Sequence, residues 1–288
     1  MKIVVSRKFF NIKDTLTCGQ VFAYKNDREN EWELYETNNL IKLSYEGENV
    51  VIKTASPKRH KEYFNIDIDY SSISEKILDS KKLPKKAEEF FITAMKSGQG
   101  IRMLKQNFLE MTISFIISAN NNIPRIRKTL KKITYNHGEK LDGYYAFPTL
   151  DRLLKIKEEE FKAYGAGYRA RYLVATIREI AAQEENPTGY STAYEERLKK
   201  LSTQVARKEL MKLQGVGRKV ADCILLFGLH RGDVFPTDIW IEKVYNDHFK
   251  MTEELDATQI SAYFEKLFGE HSGYVQQCFY HYKRNLMI

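Results

Sequence analysis

The spacing at which apolar residues recur changes once along this chain, and that change limits the folds it can adopt. Before about residue 55, short segments rich in Val, Ile and Tyr are separated by turn signals, as in EWELYE, LIKLSYE and NVVIKTA. From about Ile73 onward apolar residues recur at helical spacing, as in AEEFFITAMK and FLEMTISFIISA. Short alternating runs favour antiparallel strands, and helical spacing favours packed helices. We therefore predict an α+β fold, with a small antiparallel β-sheet domain over residues 1–84 and an all-α domain over residues 85–288.

The charge balance favours a polyanionic partner. The 288 residues include 46 Lys and Arg against 38 Asp and Glu, a formal net charge of +8. This excess favours nucleic acid, although many basic proteins have no such role. No apolar run approaches the roughly 18 residues that a membrane helix needs, and the first residues have no secretory pattern. We therefore expect a cytoplasmic protein that binds no membrane.

The cysteines argue against a metal site. Cys18, Cys223 and Cys278 are widely spaced and form no CxxC pair. An odd number of cysteines without paired spacing favours neither a disulfide framework nor a zinc or iron-sulfur site. We therefore predict a site without a metal or a cofactor.

A glycine turn joins two helical segments, RKELMKL and RKVADCILLFGL. The turn contains Gly215, Val216 and Gly217, and its glycines allow backbone amides and the next helix N-terminus to face a phosphate. This is the helix-hairpin-helix signature, which binds the DNA backbone without reading base sequence. The alternative is a plain connector between two packed helices. We interpret the turn as a phosphate-binding hairpin.

A lysine and an aspartate begin the helical segments that follow this turn. Lys219 lies in the first turn of its helix, where the helix dipole disfavours a cation, so we expect its amine to lose a proton easily. Asp238 begins the segment after FPT, where N-cap bonds favour the ionised carboxylate. A neutral amine beside a fixed carboxylate suits attack on a sugar carbon with oxocarbenium character. A solvated or phosphate-binding lysine and a purely structural N-cap are the alternatives.

The motifs GVGRKVADC and FPTD together resemble the helix-hairpin-helix, Gly/Pro-Asp superfamily of DNA glycosylases, and within it the 8-oxoguanine DNA glycosylase/lyases. The stretches TCGQVFAY, SANNNIPRI, GAGYRARYL and GYVQQCFY are also similar to that branch. The endonuclease III-like branch carries a four-cysteine cluster, which three cysteines cannot build, and the adenine and alkylpurine branches lack the lysine. The resemblance implies a base-excision-repair monomer that acts on damaged double-stranded DNA. It would extrude 8-oxoguanine, cleave the N-glycosidic bond through a lysine Schiff base, and nick the strand by β-elimination.

The resemblance also assigns the pocket for the extruded base. A backbone carbonyl at Gly19 would accept the N7 proton that distinguishes 8-oxoguanine from guanine. Gln276 would read the Watson-Crick edge, Tyr280 would stack on one face of the base, and Cys223 would contact the other face. Family members usually have Phe at the position of Tyr280. For each residue alone, ordinary core packing or a strand-linking turn is the alternative.

The resemblance also assigns four residues to contacts with the duplex from which the base is extruded. Asn120 would fill the gap in the base stack, Tyr168 would act as a wedge, and Arg125 with Arg169 would contact the partner base. Two guanidinium groups suit the O2 and N3 acceptors of cytosine, so we expect excision to be preferred opposite cytosine. The Asn-Pro pattern is equally typical of a helix start.

Two departures from the family pattern concern other positions. FAYK replaces the more usual Phe-Arg-Trp, and Trp240 stands where relatives of the animal type have histidine. These departures leave the phosphate contact near Asp238 unassigned. A glycosylase/lyase for another oxidised base and a noncatalytic DNA-binding module remain alternatives to the 8-oxoguanine enzyme.

Overall fold

The computed structural model describes residues 1–80, 82–250 and 254–286. The first of these ranges contains a five-stranded antiparallel sheet in the order β1-β5-β4-β3-β2. The strands are β1 Lys2–Ser6, β2 Tyr24–Arg28, β3 Glu31–Glu36, β4 Asn39–Glu46 and β5 Asn49–Lys53. The three strands expected from the sequence are present, and β1 and β2 complete the two edges of the sheet.

Tight turns fix the register of the central strands. Glu36 pairs with Asn39 across the β3–β4 turn, and Glu46 pairs with Asn49 across the β4–β5 turn. Gly47 in the second turn has a φ of +60°, a left-handed conformation that glycine adopts without steric cost. The turn signals in the sequence therefore lie where the chain reverses.

The rest of the chain is helical, as the spacing of apolar residues predicts. The α-helices of the described ranges are α1 Ile12–Thr17, α2 Pro57–Tyr63, α3 Ser71–Asp79, α4 Lys85–Ser97, α5 Phe108–Ser118, α6 Ile123–His137, α7 Leu150–Leu154, α8 Glu158–Tyr164, α9 Ala170–Ala181, α10 Ala193–Lys199, α11 Thr203–Leu210, α12 Arg218–Phe227, α13 Ile239–Val244, α14 Ala257–Phe268 and α15 Ser272–Asn285. The predicted α+β class, a sheet followed by helices, is confirmed. None of these helices combines enough length and apolar character to cross a bilayer.

Two short helices, α1 and α2, pack among the strands, although helical spacing does not mark them in the sequence. Asn11 caps α1 by accepting a hydrogen bond from the Asp14 amide, and Pro57 occupies the first position of α2. A helix of six or seven residues completes too few turns for a periodic pattern to appear. Local capping therefore defines these elements better than periodicity does.

Three apolar clusters form the core of the described residues. One lies under the sheet, a second surrounds α5 and α12, and a third joins α4, α14 and α15. Ile73 and Ile77 of α3 pack in the third cluster with Phe235 and Phe279. The predicted domain boundary between residues 84 and 85 thus lies within a packed region, and it stays a prediction.

Candidate active site

The glycine turn lies between α11 and α12 and packs against α9. Gly215 has a φ of +79°, and a Cβ there would lie 2.8 Å from the Tyr172 side chain. Thr176 Oγ1 donates to the Gln214 carbonyl at 3.0 Å, which ties the turn to α9. Gly217 has an extended backbone and open space where a Cβ would be, and Val216 is buried. Only Gly215 is therefore required by backbone geometry, while Gly217 leaves the N-terminus of α12 uncovered.

The structure places Lys219 and Asp238 near one another, at the N-terminal ends of α12 and α13. Asp238 Oδ1 accepts hydrogen bonds from the Trp240 and Ile241 amides at 3.0 and 3.1 Å, so the expected N-cap is present. Lys219 is half-buried, and its Nζ lies 5.4 Å from the centre of the Phe115 ring. An amine and a carboxylate thus share one partly desolvated site.

The pKa values of this pair depart from the expectations. Burial lowers the pKa of Lys219, but interactions with Cys223, Asp238 and Tyr280, including a hydrogen bond with Cys223, outweigh burial, so this pKa lies above the usual lysine value. The expectation that Lys219 loses its proton easily is therefore wrong. Burial raises the pKa of Asp238 above its usual value, although Lys219 and the amides of α13 act in the opposite sense. The N-cap bonds are real, but burial has the larger effect on this carboxyl.

A buried ionic network, defined here as Arg207, Arg218, Asp222, Ser261 and Glu265, supports the helix that carries Lys219. The Asp222 carboxylate is fully buried. Arg207 Nε donates to its Oδ1 at 2.5 Å, and Arg218 Nε donates to its Oδ2 at 2.8 Å. Two arginines thus neutralise a carboxylate that would otherwise be strongly destabilising in the core.

The same network reaches the segment that carries Asp238. Glu265 Oε1 accepts from Arg207 at 2.5 Å and from Arg218 at 3.2 Å, and it lies 3.4 Å from the Phe235 amide. Ser261 Oγ donates to the Phe235 carbonyl at 2.9 Å. Asp222 lies three residues after Lys219, and Phe235 lies three residues before Asp238. The network therefore joins the segments that carry Lys219 and Asp238 to α14, and its one local signal in the sequence is the Arg218–Asp222 spacing.

The residues assigned to the base pocket come from three distant parts of the chain. Gly19 has a φ of +87°, and a Cβ there would lie 3.2 Å from the Tyr280 ring. Gln276 is buried on α15, and its Nε2 donates to the Pro236 carbonyl at 3.1 Å. Burial raises the pKa of the Cys223 thiol to about 11, so this side chain stays neutral at ordinary pH. Gly19 thus lies beside Tyr280, and Gln276 lies beside the segment that leads to Asp238. Their contacts with an extruded base stay a prediction.

Gln20 fixes the turn that carries Gly19, and the sequence reasoning did not single it out. Its Nε2 donates to the carbonyls of Thr15 and Arg102 at 3.0 and 2.8 Å, and its Oε1 accepts from the Leu104 amide at 3.0 Å. The side chain is fully buried. A polar residue between the glycine and the apolar pair VF was the available signal, since a buried amide needs several partners.

Three of the residues assigned to the duplex lie together. Asn120 is exposed and has a φ of +48°, and Tyr168 is 52 % exposed. Arg169 is buried between them: its guanidinium donates to the carbonyls of Ala119 and Asn120, and it lies 4.4 Å from the centre of the Tyr168 ring. Arg169 therefore holds both exposed residues in this structure, and its contact with a partner base stays a prediction.

Arg125 lies on the exposed side of the first turn of α6. Asn122 caps this helix by accepting from the Arg125 amide at 3.0 Å, and Asn121 donates to the Ile117 carbonyl at 3.0 Å. The helix start that the Asn-Pro pattern suggested thus involves Asn122, which leaves Asn120 outside the cap. The interpretation as a helix cap therefore applies to Asn122, and the predicted contact with the base stack applies to Asn120.

Two family models together match most of the chain. The model of the 8-oxoguanine DNA glycosylase N-terminal domain matches residues 2–112, and that of the HhH-GPD superfamily base excision DNA repair proteins matches residues 113–270. The chain is 34 % identical over 189 residues to the N-glycosylase/DNA lyase OGG1 of Arabidopsis thaliana, covering 62 % of this chain and 50 % of that protein. It thus spans about half the length of this relative.

Two further proteins are similar over more of their length. The N-glycosylase/DNA lyase of Saccharomyces cerevisiae is 29 % identical over 276 residues, covering 87 % of this chain and 71 % of that protein. The 8-oxoguanine glycosylase/lyase of Clostridium acetobutylicum, solved with double-stranded DNA containing cytosine opposite 8-oxoguanine, is 32 % identical with a TM-score of 0.87, covering 100 % of this chain and 96 % of that one. The chain therefore belongs to the 8-oxoguanine DNA glycosylase family, the N-glycosylase/DNA lyases of the HhH-GPD superfamily.

Proposed function

We propose that this chain, an 8-oxoguanine glycosylase/lyase of base excision repair, uses Lys219 as its nucleophile and Asp238 as the charge that stabilises the reacting sugar. The observation that carries this proposal is the pairing of the two residues at adjacent helix starts, where each affects the pKa of the other. A module that only bound DNA would have no use for a half-buried amine beside a desolvated carboxylate.

The excision step moves two electron pairs. The neutral Lys219 amine donates its lone pair to C1′ of the extruded nucleotide, while the C1′–N9 bond breaks and its electrons leave with the base, which takes up a proton. Asp238 stabilises the positive charge that develops on the sugar. Loss of a proton from the amine and opening of the sugar ring then give a Schiff base. Removal of a C2′ proton expels the 3′ phosphate, and the strand is nicked by β-elimination.

The base pocket would select 8-oxoguanine by one proton. The Gly19 carbonyl accepts the N7 proton of the lesion, whereas unmodified guanine presents a lone pair to the same oxygen. A lost or repulsive buried contact of this kind changes binding by about 1 to 3 kcal/mol. The bonds of Gln20 hold this turn in place, and the Tyr280 ring packs beside it, which supports a fixed position for the carbonyl.

The duplex side would bind damaged double-stranded DNA as a monomer and favour cytosine opposite the lesion. Asn120 would enter the gap in the stack, Tyr168 would act as the wedge, and Arg125 would contact cytosine. The contacts of Arg169 with Asn120 and Tyr168 support a role in holding both residues as well as in approaching the base. The hairpin of Gly215, Val216 and Gly217 would bind a backbone phosphate at the N-terminus of α12.

Borohydride trapping on a panel of duplexes tests this proposal. Reduction should trap the protein on 8-oxoguanine opposite cytosine, and trapping on duplexes with an oxidised pyrimidine should be much weaker. Equal trapping on several oxidised bases would favour a glycosylase/lyase of another specificity. Binding without any trapped product would favour the noncatalytic module. Size-exclusion chromatography of the protein with a lesion duplex should give a one-to-one complex.

A further inference from the structure

A cavity separate from the base pocket lies beyond the rings of Phe115 and Phe22, on the side away from Lys219. Its volume is about 650 Å³, and its lining comes from β2, β3, α5, α6 and residues 143–147. The Phe22 ring lines it and packs edge-on against Phe115, with ring centres 5.8 Å apart, and Lys219 Nζ lies against Phe115. The volume is within the range of pockets that bind small molecules. We call it the sheet–α6 cavity.

Flat aromatic side chains form much of its wall. Tyr35 and Tyr144 are stacked at 27° with ring centres 5.5 Å apart, and Tyr135 and Tyr145 meet at 61° with ring centres 4.9 Å apart. All four line the cavity, as does Tyr24. Aromatic walls of this kind suit a planar ring, since stacking is tolerant of the ring's identity.

A buried carboxyl group lies among these rings. Glu110 of α5 is 8 % exposed and lines the cavity. Burial, with a smaller contribution from Glu36, raises the pKa of Glu110 to about 8, and a backbone hydrogen bond from Thr37 offsets only part of this. No salt bridge to Glu110 occurs within the described ranges. A buried carboxyl without a cationic partner is costly, so a ligand that donates hydrogen bonds to it would be favoured.

The α6 side of the cavity carries positive charge. Lys128 and Lys131 are exposed residues of α6 that also line the cavity, and Arg127 lies on the Tyr24 ring at 3.9 Å from its centre. The Arg127 guanidinium donates to the Phe22 and Tyr24 carbonyls, so it is already held by the protein. The two lysines are therefore the groups available to an anionic end of a ligand.

We propose that the sheet–α6 cavity binds a guanine nucleotide, with the base against the tyrosine rings that line it, its N1–H and amino group on Glu110, and its phosphate at Lys128 and Lys131. Guanine presents two adjacent donors, which match the two oxygens of a carboxylate. Adenine presents a donor beside an acceptor, and uracil presents one donor between two acceptors. An ordinary guanine nucleotide and its 8-oxo form share the donor edge, so either source would supply the ligand.

Isothermal titration calorimetry of the full chain tests the site without relying on excision. The titration is run at about pH 8, where the Glu110 carboxyl is substantially ionised. Guanosine 5′-monophosphate should bind, and the affinity for adenosine 5′-monophosphate should be lower by about tenfold or more. The 8-oxo nucleotide distinguishes the sources: tighter binding than guanosine 5′-monophosphate assigns the site to oxidised nucleotides, and equal binding assigns it to the ordinary ones. No heat with guanosine 5′-monophosphate, or equal affinity for the adenine nucleotide, would overturn the proposal.

Variants separate this cavity from the base pocket. Glu110→Gln keeps the side-chain shape but places an amide donor against the guanine donors, so affinity should fall about tenfold. Glu89→Gln, on the exposed side of α4, is the matched control and should leave affinity unchanged. Lys131→Gln, at an exposed position, should weaken binding of guanosine 5′-monophosphate but not binding of guanosine. This variant gives a second test if Glu110→Gln unfolds. Loss of binding in Gln276→Ala with retention in Glu110→Gln would place the ligand in the base pocket and refute the inference.

Discussion

The two sides of the proposed DNA-binding site are built differently. On the catalytic side, Cys223 and Gln276 are 3 % and 5 % exposed, and the Arg207–Asp222–Glu265 network fixes the segments that carry Lys219 and Asp238. On the duplex side, Asn120, Arg125 and Tyr168 are exposed. Chemistry requires groups that the core holds in place, whereas insertion into a base stack requires side chains that project from the surface. Changes on the catalytic side should alter rate, and changes on the duplex side should alter the choice of opposite base.

The largest effect should follow removal of the proposed nucleophile. In Lys219→Gln the amide cannot form an imine, so the borohydride-trapped complex should disappear while binding to lesion duplex persists. Trapping would be measured by denaturing electrophoresis and binding by fluorescence anisotropy. Lys243→Gln, a change of an exposed lysine on α13, serves as the control and should trap normally. Wild-type trapping in Lys219→Gln would move the nucleophile elsewhere.

Asp238→Asn should come next, since it removes a charge but keeps an oxygen that can accept from the Trp240 and Ile241 amides. Single-turnover excision should fall by roughly 10², the scale of losing one electrostatic stabiliser. The melting temperature should change little, because the N-cap survives. A drop in stability that matches the loss of rate would instead indicate a purely structural cap.

The pH dependence of single-turnover excision should distinguish the catalytic side from the duplex side without any substitution. Because the pKa of Lys219 is raised, the neutral amine is a minor species near neutral pH, and its fraction rises about tenfold per pH unit below that pKa. Single-turnover excision should therefore increase from neutral pH into the alkaline range. The ratio of rates opposite cytosine and adenine should stay constant, since the same amine performs excision in both cases. A rate that levels off near neutral pH would show that the helix N-terminus lowers the pKa of Lys219 after all.

Disruption of the buried ionic network should have an intermediate effect, and it should lower both the stability of the fold and the rate of excision. Arg207→Met leaves the buried Asp222 with Arg218 as its remaining arginine, and breaking such a pair costs about 3 kcal/mol of unfolding free energy. Excision should slow several-fold because both catalytic segments lose a common support. Arg197→Met breaks the exposed pair with Glu209 and should cost at most about 1 kcal/mol. Equal stability losses in chemical denaturation would contradict the role assigned to the network.

The smallest effect on excision itself should follow Arg125→Ala. Excision opposite cytosine should change little, whereas discrimination against other opposite bases should fall by about tenfold, the value of one bidentate contact. Single-turnover rates on duplexes with each of the four opposite bases would measure this. If wild-type protein shows no preference for cytosine, the assignment of Arg125 and Arg169 is incorrect.

Local sequence patterns predicted the strands and helices better than they predicted the tertiary contacts of individual side chains. The strands EWELYE and NVVIKTA, the helices on either side of the glycine turn, and the cap at Asp238 follow from spacing, glycine chemistry and N-cap preference, which are properties of adjacent residues. The short helices α1 and α2 were missed because they have too few turns to show a period. The contacts of Gln20 and Arg169 within the protein were not visible, because their partners at Arg102 and Ala119 are distant in sequence.

The sequence by itself determined the α+β class, the family, and the residue types at the site, because motif spacing fixes which side chains begin which helix. Only the tertiary structure decided how those side chains behave. The pKa of Lys219 is raised by neighbouring groups that folding brings close, and that of Asp238 is raised by burial. These effects outweigh the helix dipole and the cap that a local pattern can indicate. Electrostatics at a site depends on every group within a few ångströms, and only the folded chain specifies that set.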